Sequence, residues 1–462
     1  GRQDTIVAKL SQTTGVDHKF PDRVVTLEAF SGIGSTPYDM EAKCPSLGSL
    51  VPIIFGAPGR SADGLAAVAV AAVPALELTL EEGTNAARCR WLIAGHHLTG
   101  FVINSLTRPT SPGRLFNSST PASTILATST TTTSNSLMLL NTTDHLGNEV
   151  AFLDNNNTNT YGTLSNNDVH SGGEFWIGFA NADVAGLSNP YRDGILTGCS
   201  DVIRYLLEQY SGRQIDYGRL ETYAADLNNL KIDAVINAET TVTDWINGLA
   251  KSYPIRVVQG PDGLYVRRRR YTANASQAVA ALAVKGQSGN IGVARTSGLA
   301  SAEAEICNQI RVDYAFRFLT DANSSVTVGS SEQERAALTG TGAAGLIARN
   351  ITGASRLAES SQASYGIREK VVKASTCWDE STAAAIGVAM AERYALPRHL
   401  VTYQGDRALE TLNPGDVVTI ADPDITETPR VAIVDDVIIG SRQPSVVLEL
   451  VSDPIAWTVS AG

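Results

Sequence analysis

The chain is poor in the residues that do chemistry at metal and redox centres. Across 462 residues there are five cysteines, six histidines and three methionines. The cysteines are Cys44, Cys89, Cys199, Cys307 and Cys377, and no two stand in a Cys-x-x-Cys. An odd, scattered set excludes a disulfide framework and a cysteine-rich zinc site. It predicts reduced, mostly buried thiols in a protein assembled in a cytoplasm, with a Cys44–Cys89 pairing left open. Long apolar runs are also missing. The longest, residues 64–76, contains Pro74, whereas a membrane-spanning helix needs about 20 residues, so it reads as buried strand or loop. No signal peptide is read at the start, and Gly1 in place of Met reads as trimming.

Positive charge is in deficit. Lys and Arg number 36 against 47 Asp and Glu, for a net charge of −11. Gripping nucleic acid needs clustered cations that neutralise phosphates, so stable binding is not expected. An acidic surface suits transient passage of DNA past the protein. What is present is apolar content of 43% with only 18% charged residues, which marks a globular chain. Aromatics are 6%, while Ser, Thr, Asn, Gly and Val are plentiful, a mixture that favours strands and turns.

Four segments follow from patterning. Residues 1–110 read as a β-rich domain. In it Leu76, Leu78 and Leu80 alternate with polar residues, and 91–93 with 101–103 look like a hairpin. Residues 111–171 are dominated by Ser, Thr and Asn, with apolar islands at 137–140 and 150–153, and predict an inserted polar β-module or long loop. Residues 172–275 predict a small α/β module. Ser200 is the expected N-cap of a helix carrying Ile203, Leu206, Leu207 and Tyr210 on one face. A second helix starts near Thr240 or Thr241, and a strand pair turns through Gly260, Pro261, Asp262 and Gly263. Residues 276–462 predict a β-barrel-like domain with one helix, over about 380–394. Residues 271–300 read as an Ala-, Gly- and Ser-rich connector. Ile310, Val312 and Tyr314 alternate with polar residues in the clearest strand of the chain. Four short strands, at 400–403, 417–420, 431–438 and 446–451, complete it.

Few groupings suggest chemistry. Gly340, Gly342 and Gly345 match a dinucleotide fingerprint in spacing but follow a polar stretch in place of a strand, which predicts a flexible loop. His96 and His97 are adjacent, and neighbours on an extended chain point apart, so they predict a loop pair and not a metal site. Asp422 with Asp424, and Asp435 with Asp436, lack the ligand density of a calcium loop. Asn117, Asn141 and Asn156 open glycosylation sequons by pattern alone. No Gly-x-Ser-x-Gly elbow occurs. Arg267, Arg268, Arg269 and Arg270 form the strongest basic run and are the candidate interface or DNA-contact residues. No catalytic, cofactor-binding or metal-binding residues are assigned.

Three stretches in order carry a resemblance. Val242 to Ile246 with Leu249, followed by Asp262 to Val266, resembles the small α/β module of bacteriophage tail-tip or baseplate hub proteins. Asn308 to Tyr314 resembles the opening strand of the barrel that follows there. Leu412 to Val418, with its Asn-Pro-Gly-Asp turn, resembles the late strand pair. Val51 to Gly56 is similar to an element near the N-terminus of long-tailed phage and gene-transfer-agent tail-tip proteins.

The resemblance implies two β-barrel-like domains with the small α/β module; together with the Ser/Thr/Asn-rich β insertion, which composition alone predicts, the chain reads as a β-dominated, multi-domain α+β protein. The resemblance also implies a homotrimeric, non-enzymatic hub that closes the tail tube at the virion tail tip, needs no cofactor and passes DNA only transiently. The implied partners are a distal tail or tube protein, a tape-measure protein, and a central spike, fibre or receptor-binding protein. Two other readings stay open. One is a tail-associated cell-wall hydrolase using Cys199 or Cys377, and the other is a surface adhesin with a glycan-binding insertion.

Overall fold

The computed structural model describes residues 17–30, 46–58, 73–78, 90–98, 103–107, 126–127, 137–155, 175–179, 186–297, 300–301, 306–314, 348–352, 361, 363–397, 399–425, 428–439, 443–451 and 458–461. The chain is β-dominated with few helices, an α+β protein as the sequence predicts.

The first sheet has seven strands. Their order is Ile103–Thr107, Phe175–Phe179, Val73–Glu77, Arg90–Ala94, Glu149–Asn155, Leu137–Thr143 and Leu126–Ala127. The expected hairpin between residues 91–93 and 101–103 is therefore not formed. Trp91, Leu92 and Ile93 are all buried, on both faces, which marks a central strand that needs two neighbours. It finds them in Val73–Glu77 and Glu149–Asn155. The Ser/Thr/Asn-rich stretch supplies Leu137–Thr143 and Glu149–Asn155 to this sheet as an antiparallel hairpin. Asp144 shapes its turn by accepting from the amides of Leu146 (2.9 Å) and Asn148 (2.8 Å). Val150 and Phe152 join Phe30 and Leu92 in the core beneath it.

The α/β module begins with the helix Cys199–Tyr210, which buries Val202, Ile203, Leu206 and Leu207. Its N-cap is Gly198, two residues before the expected Ser200. The capping oxygen comes from another helix. Asn228, at the C-terminus of Tyr217–Leu227, accepts through Oδ1 from the amides of Ser200 (2.9 Å) and Asp201 (3.2 Å). A Cβ at residue 198 would sit 2.5 Å from that oxygen, which explains the glycine. Asn228→Ala is expected to cost about 1–2 kcal/mol in urea denaturation, the upper range for a lost cap, because two amides are orphaned. The helix Val242–Leu249 starts where the sequence predicts, and of Thr240 and Thr241 it is Thr241 that caps it. The strands Ile255–Gly260 and Gly263–Arg268 then form the predicted hairpin.

The core of the module continues beyond residue 275. Leu206, Ile246, Tyr253 and Tyr265 share one apolar cluster with Ile310, Val312, Tyr314, Trp378 and Ile386. Ile386 lies on the helix Glu380–Tyr394, Trp378 in the loop that leads into it, and the other three on a four-stranded sheet, ordered Glu369–Ala374, Gln309–Tyr314, Ala348–Thr352 and Thr458–Ala461. The strand Gln309–Tyr314 thus does not open the barrel. Its apolar face, with Ile310, Val312 and Tyr314 fully buried, is used against the module and the helix instead.

The barrel closes with six strands. Ala280–Val284 lies between Ile291–Arg295 and Val417–Ala421, parallel to both. Arg430–Ile438, Ser445–Leu450 and His399–Gly405 follow, and the last pairs back onto Ile291–Arg295. The supposed connector therefore supplies the first two barrel strands. Its alanines and glycines gave little contrast between buried and exposed positions. Leu282, Ile291, Tyr403, Ile420, Val434 and Leu448 contribute to the separate barrel core.

Candidate functional site: an arginine seam

The basic run lies at the end of the module hairpin and does not form one patch. Arg256 and Arg267 are directly opposed across the hairpin. Cross-strand partners share a face, and two like charges there repel unless carboxylates intervene. The barrel supplies them. Arg267 donates to Asp416 Oδ1 (3.0 Å) and to the carbonyls of Pro414 (3.1 Å) and Gly415 (2.8 Å). Arg256 pairs with Asp435 Oδ1 at 3.3 Å and also donates to the Asp435 carbonyl. Arg269 stands 3.7 Å from the same carboxylate. Arg219 adds a bond to Asn413 Oδ1 at 2.7 Å. Arg268, next in the chain to Arg267, points the other way. It pairs with Asp226 on the helix Tyr217–Leu227 at 3.1 Å, and Arg270 lies 3.9 Å from Asp226.

Local structure aims each barrel partner. The register of Arg430–Ile438 against Ser445–Leu450 shifts between Val434 and Asp436, so Asp435 is the extra residue of a β-bulge. A bulge leaves one residue out of the ladder and redirects its side chain, here onto Arg256 and Arg269. Asp416 ends the Asn-Pro-Gly-Asp turn, and its other oxygen accepts from the Asn413 amide at 2.8 Å. Gly415 holds φ at +93°, and a Cβ there would lie 2.7 Å from Arg267 Nε, so turn and arginine both require glycine. Beneath the guanidiniums lie rings, with Tyr223 under Arg267 (4.8 Å), Tyr265 under Arg219 (5.2 Å) and Tyr271 under Arg269 (5.3 Å).

The seam is dry. The side chains of Arg256, Arg267, Asp416 and Asp435 are 10–14% exposed. Burial pushes the Arg256 guanidinium below its ordinary pKa, and the facing Asp435 opposes that shift. Such an arrangement holds no nucleophile. What it does is set how the barrel sits against the module.

Cys199 and Cys377 are both buried in the module core. Burial pushes the Cys199 thiol well up, which opposes formation of the thiolate a nucleophile needs, and Cys377 donates to the Asp379 carbonyl at 3.2 Å. Asp422 accepts from the Tyr403 hydroxyl (3.0 Å), and Asp424 pairs with Arg295 (2.8 Å), so these carboxylates serve the barrel. Among the described residues no group of three potential metal ligands comes together. Asn141 uses its side chain on the backbone of Leu98. Gly340–Gly345, Cys44, Cys89, Asn117 and Asn156 lie outside the described residues. Sequence reasoning missed Arg219, Arg256, Asp416 and Asp435 as seam members. Asp416 and Asp435 drew notice only as turn and acidic-pair residues.

No family model matches the chain, and no curated protein matches it. Among solved structures, it is similar to a chain of the virion of a native gene transfer agent particle. That match has a TM-score of 0.43 at 12% identity and covers 97% of this chain and 92% of that one. It is similar to the tail protein from Neisseria meningitidis MC58, with TM-score 0.32, 13% identity, and 62% and 77% of the two chains covered. A third similarity is to the 43 kDa tail protein of prophage MuSo2 from Shewanella oneidensis, with TM-score 0.30, 11% identity, and 87% and 94% covered. These neighbours are virion and tail proteins.

Proposed function

We propose that the chain is a structural component of a phage-type tail, and within it the hub of the tail tip or baseplate. In this reading it closes the tail tube at the virion tail tip and works by shape and interface. One observation carries the reading: the capped helix Val242–Leu249, the Gly260–Gly263 hairpin and the Asn-Pro-Gly-Asp turn of a closed barrel follow one another in the order the hub resemblance implies. The seam supports it, because it joins the last two of those elements through Arg267. Three copies would form a ring around a channel that DNA crosses transiently. Its neighbours would be a distal tail or tube protein, a tape-measure protein, and a central spike, fibre or receptor-binding protein. Assembly would take place in the host cytoplasm.

Electron microscopy of the full chain co-expressed with its tail partners tests this. The expected image is a three-fold ring around a channel, with subunits burying more than about 2,000 Å² in total, as obligate assemblies do. A monodisperse monomer in the presence of those partners overturns it.

A further inference from the structure

The seven-stranded sheet and the α/β module are joined by a strap, residues 51–57. On the module side, Ile53–Phe55 pairs with Ala234–Ile236. Gly56 N donates to Leu196 O (3.0 Å), Ala57 N to Asp233 Oδ1 (2.9 Å), and Leu187 N to Ile54 O (3.1 Å). On the sheet side, Gly95 N donates to Pro52 O at 2.8 Å. Val51 N donates to Arg23 O (2.9 Å), and the amide of the fully buried Ile54 donates to His96 Nε2 at 3.0 Å. His96 is itself 5% exposed, in the turn that follows Arg90–Ala94. Its Nδ1 lies 3.0 Å from the carbonyl oxygen of His97. A carbonyl only accepts, so Nδ1 carries the proton and Nε2 is the bare acceptor. The neutral tautomer is selected from both sides.

We propose that His96 is an acid-labile clasp: a solvent proton taken up at Nε2 sets N–H against the Ile54 N–H and releases the strap from the sheet. The inference is independent of the hub reading, since it concerns two parts of one chain. The charged groups around the clasp are Glu149, which favours the imidazolium, and His97 and Arg23, which oppose it. Arg23 is held in place by Asp144 Oδ2 (2.8 Å) and by the carbonyls of Gly95 and Glu149. Burial outweighs these and holds the imidazole down at about 4, against an ordinary 6.5. The folded pKa is depressed, so the histidine freed from the strap binds the proton more readily. The contribution of the clasp is complete above about pH 6.5 and is lost as pH falls towards 4.

Hydrogen–deuterium exchange of the full chain, corrected for the intrinsic pH dependence of exchange, tests the proposal. Peptides covering residues 51–57 are expected to lose about tenfold in protection between pH 7.5 and 5.5, the ratio those two pKa values dictate, while the barrel strands do not. His96→Gln keeps an acceptor that does not titrate and is expected to abolish the loss. Protection that is flat in the native protein, or a loss that persists in His96→Gln, overturns the clasp. Should that variant not fold, the ¹⁵N shifts of the His96 ring in the native protein decide. A bare Nε2 with a pKa well below 6.5 supports the proposal, and ordinary titration overturns it.

Discussion

Asp435→Ala is expected to lower the free energy of unfolding by about 3–5 kcal/mol, the cost of breaking a buried ion pair by removing one partner. The size follows from what remains. Arg256 and Arg269 both face that carboxylate, and Arg267 is the cross-strand partner of Arg256. Without Asp435 the two guanidiniums that face it lose their carboxylate while staying largely buried. Arg268→Ala is the matched control. Its partner Asp226 is 40% exposed, and solvent-exposed pairs contribute about 0–1 kcal/mol. Urea denaturation of the two variants side by side checks the argument. Equal losses would show that burial at the seam has no energetic weight.

Trp378→Ala is expected to cost about 3–5 kcal/mol, the range for truncating a large buried aromatic. Trp378 is 2% exposed and lies in the cluster that joins the module helices to the helix Glu380–Tyr394. The cavity would open at a junction, so its effect should not stay local. Hydrogen exchange is expected to rise both in Cys199–Tyr210 and in Gln309–Tyr314, although the two are about a hundred residues apart in sequence. Tyr253 lies in the same cluster, and its hydroxyl shares its one proton between the carbonyls of Lys231 (2.8 Å) and Thr376 (3.1 Å). Faster exchange confined to one of the two elements would mean that the core is divided at residue 275 after all.

Much of the module was legible from the chain. Thr241 caps its helix through its own side chain, and Gly260 pairs with Gly263 across a turn spelled out by four consecutive residues. The helix Glu380–Tyr394 was visible for the same reason, since Ala383, Ile386 and Met390 recur at its period and are buried. In Ala280–Val284 the signal was too faint, because an alanine-rich strand looks much the same on its buried and exposed faces. The candidate site was legible only as a cluster of arginines. Nothing near Arg267 in sequence announces that its carboxylate is Asp416, 149 residues away, or that Arg256 meets Asp435 at a distance of 179.

The sequence by itself determined which side chains share a face in Glu380–Tyr394, where Val242–Leu249 begins and where the hairpin at Gly260–Gly263 turns, because those depend on neighbours within a few residues. Only the tertiary structure decided that Gln309–Tyr314 leaves the barrel for the module. It alone divided four consecutive arginines between a buried seam and a more exposed helix face, and it alone set a histidine to hold a distant amide. Each of these depends on which remote surface offers the complementary shape or charge, and periodicity along one segment carries no information about the segment it will meet.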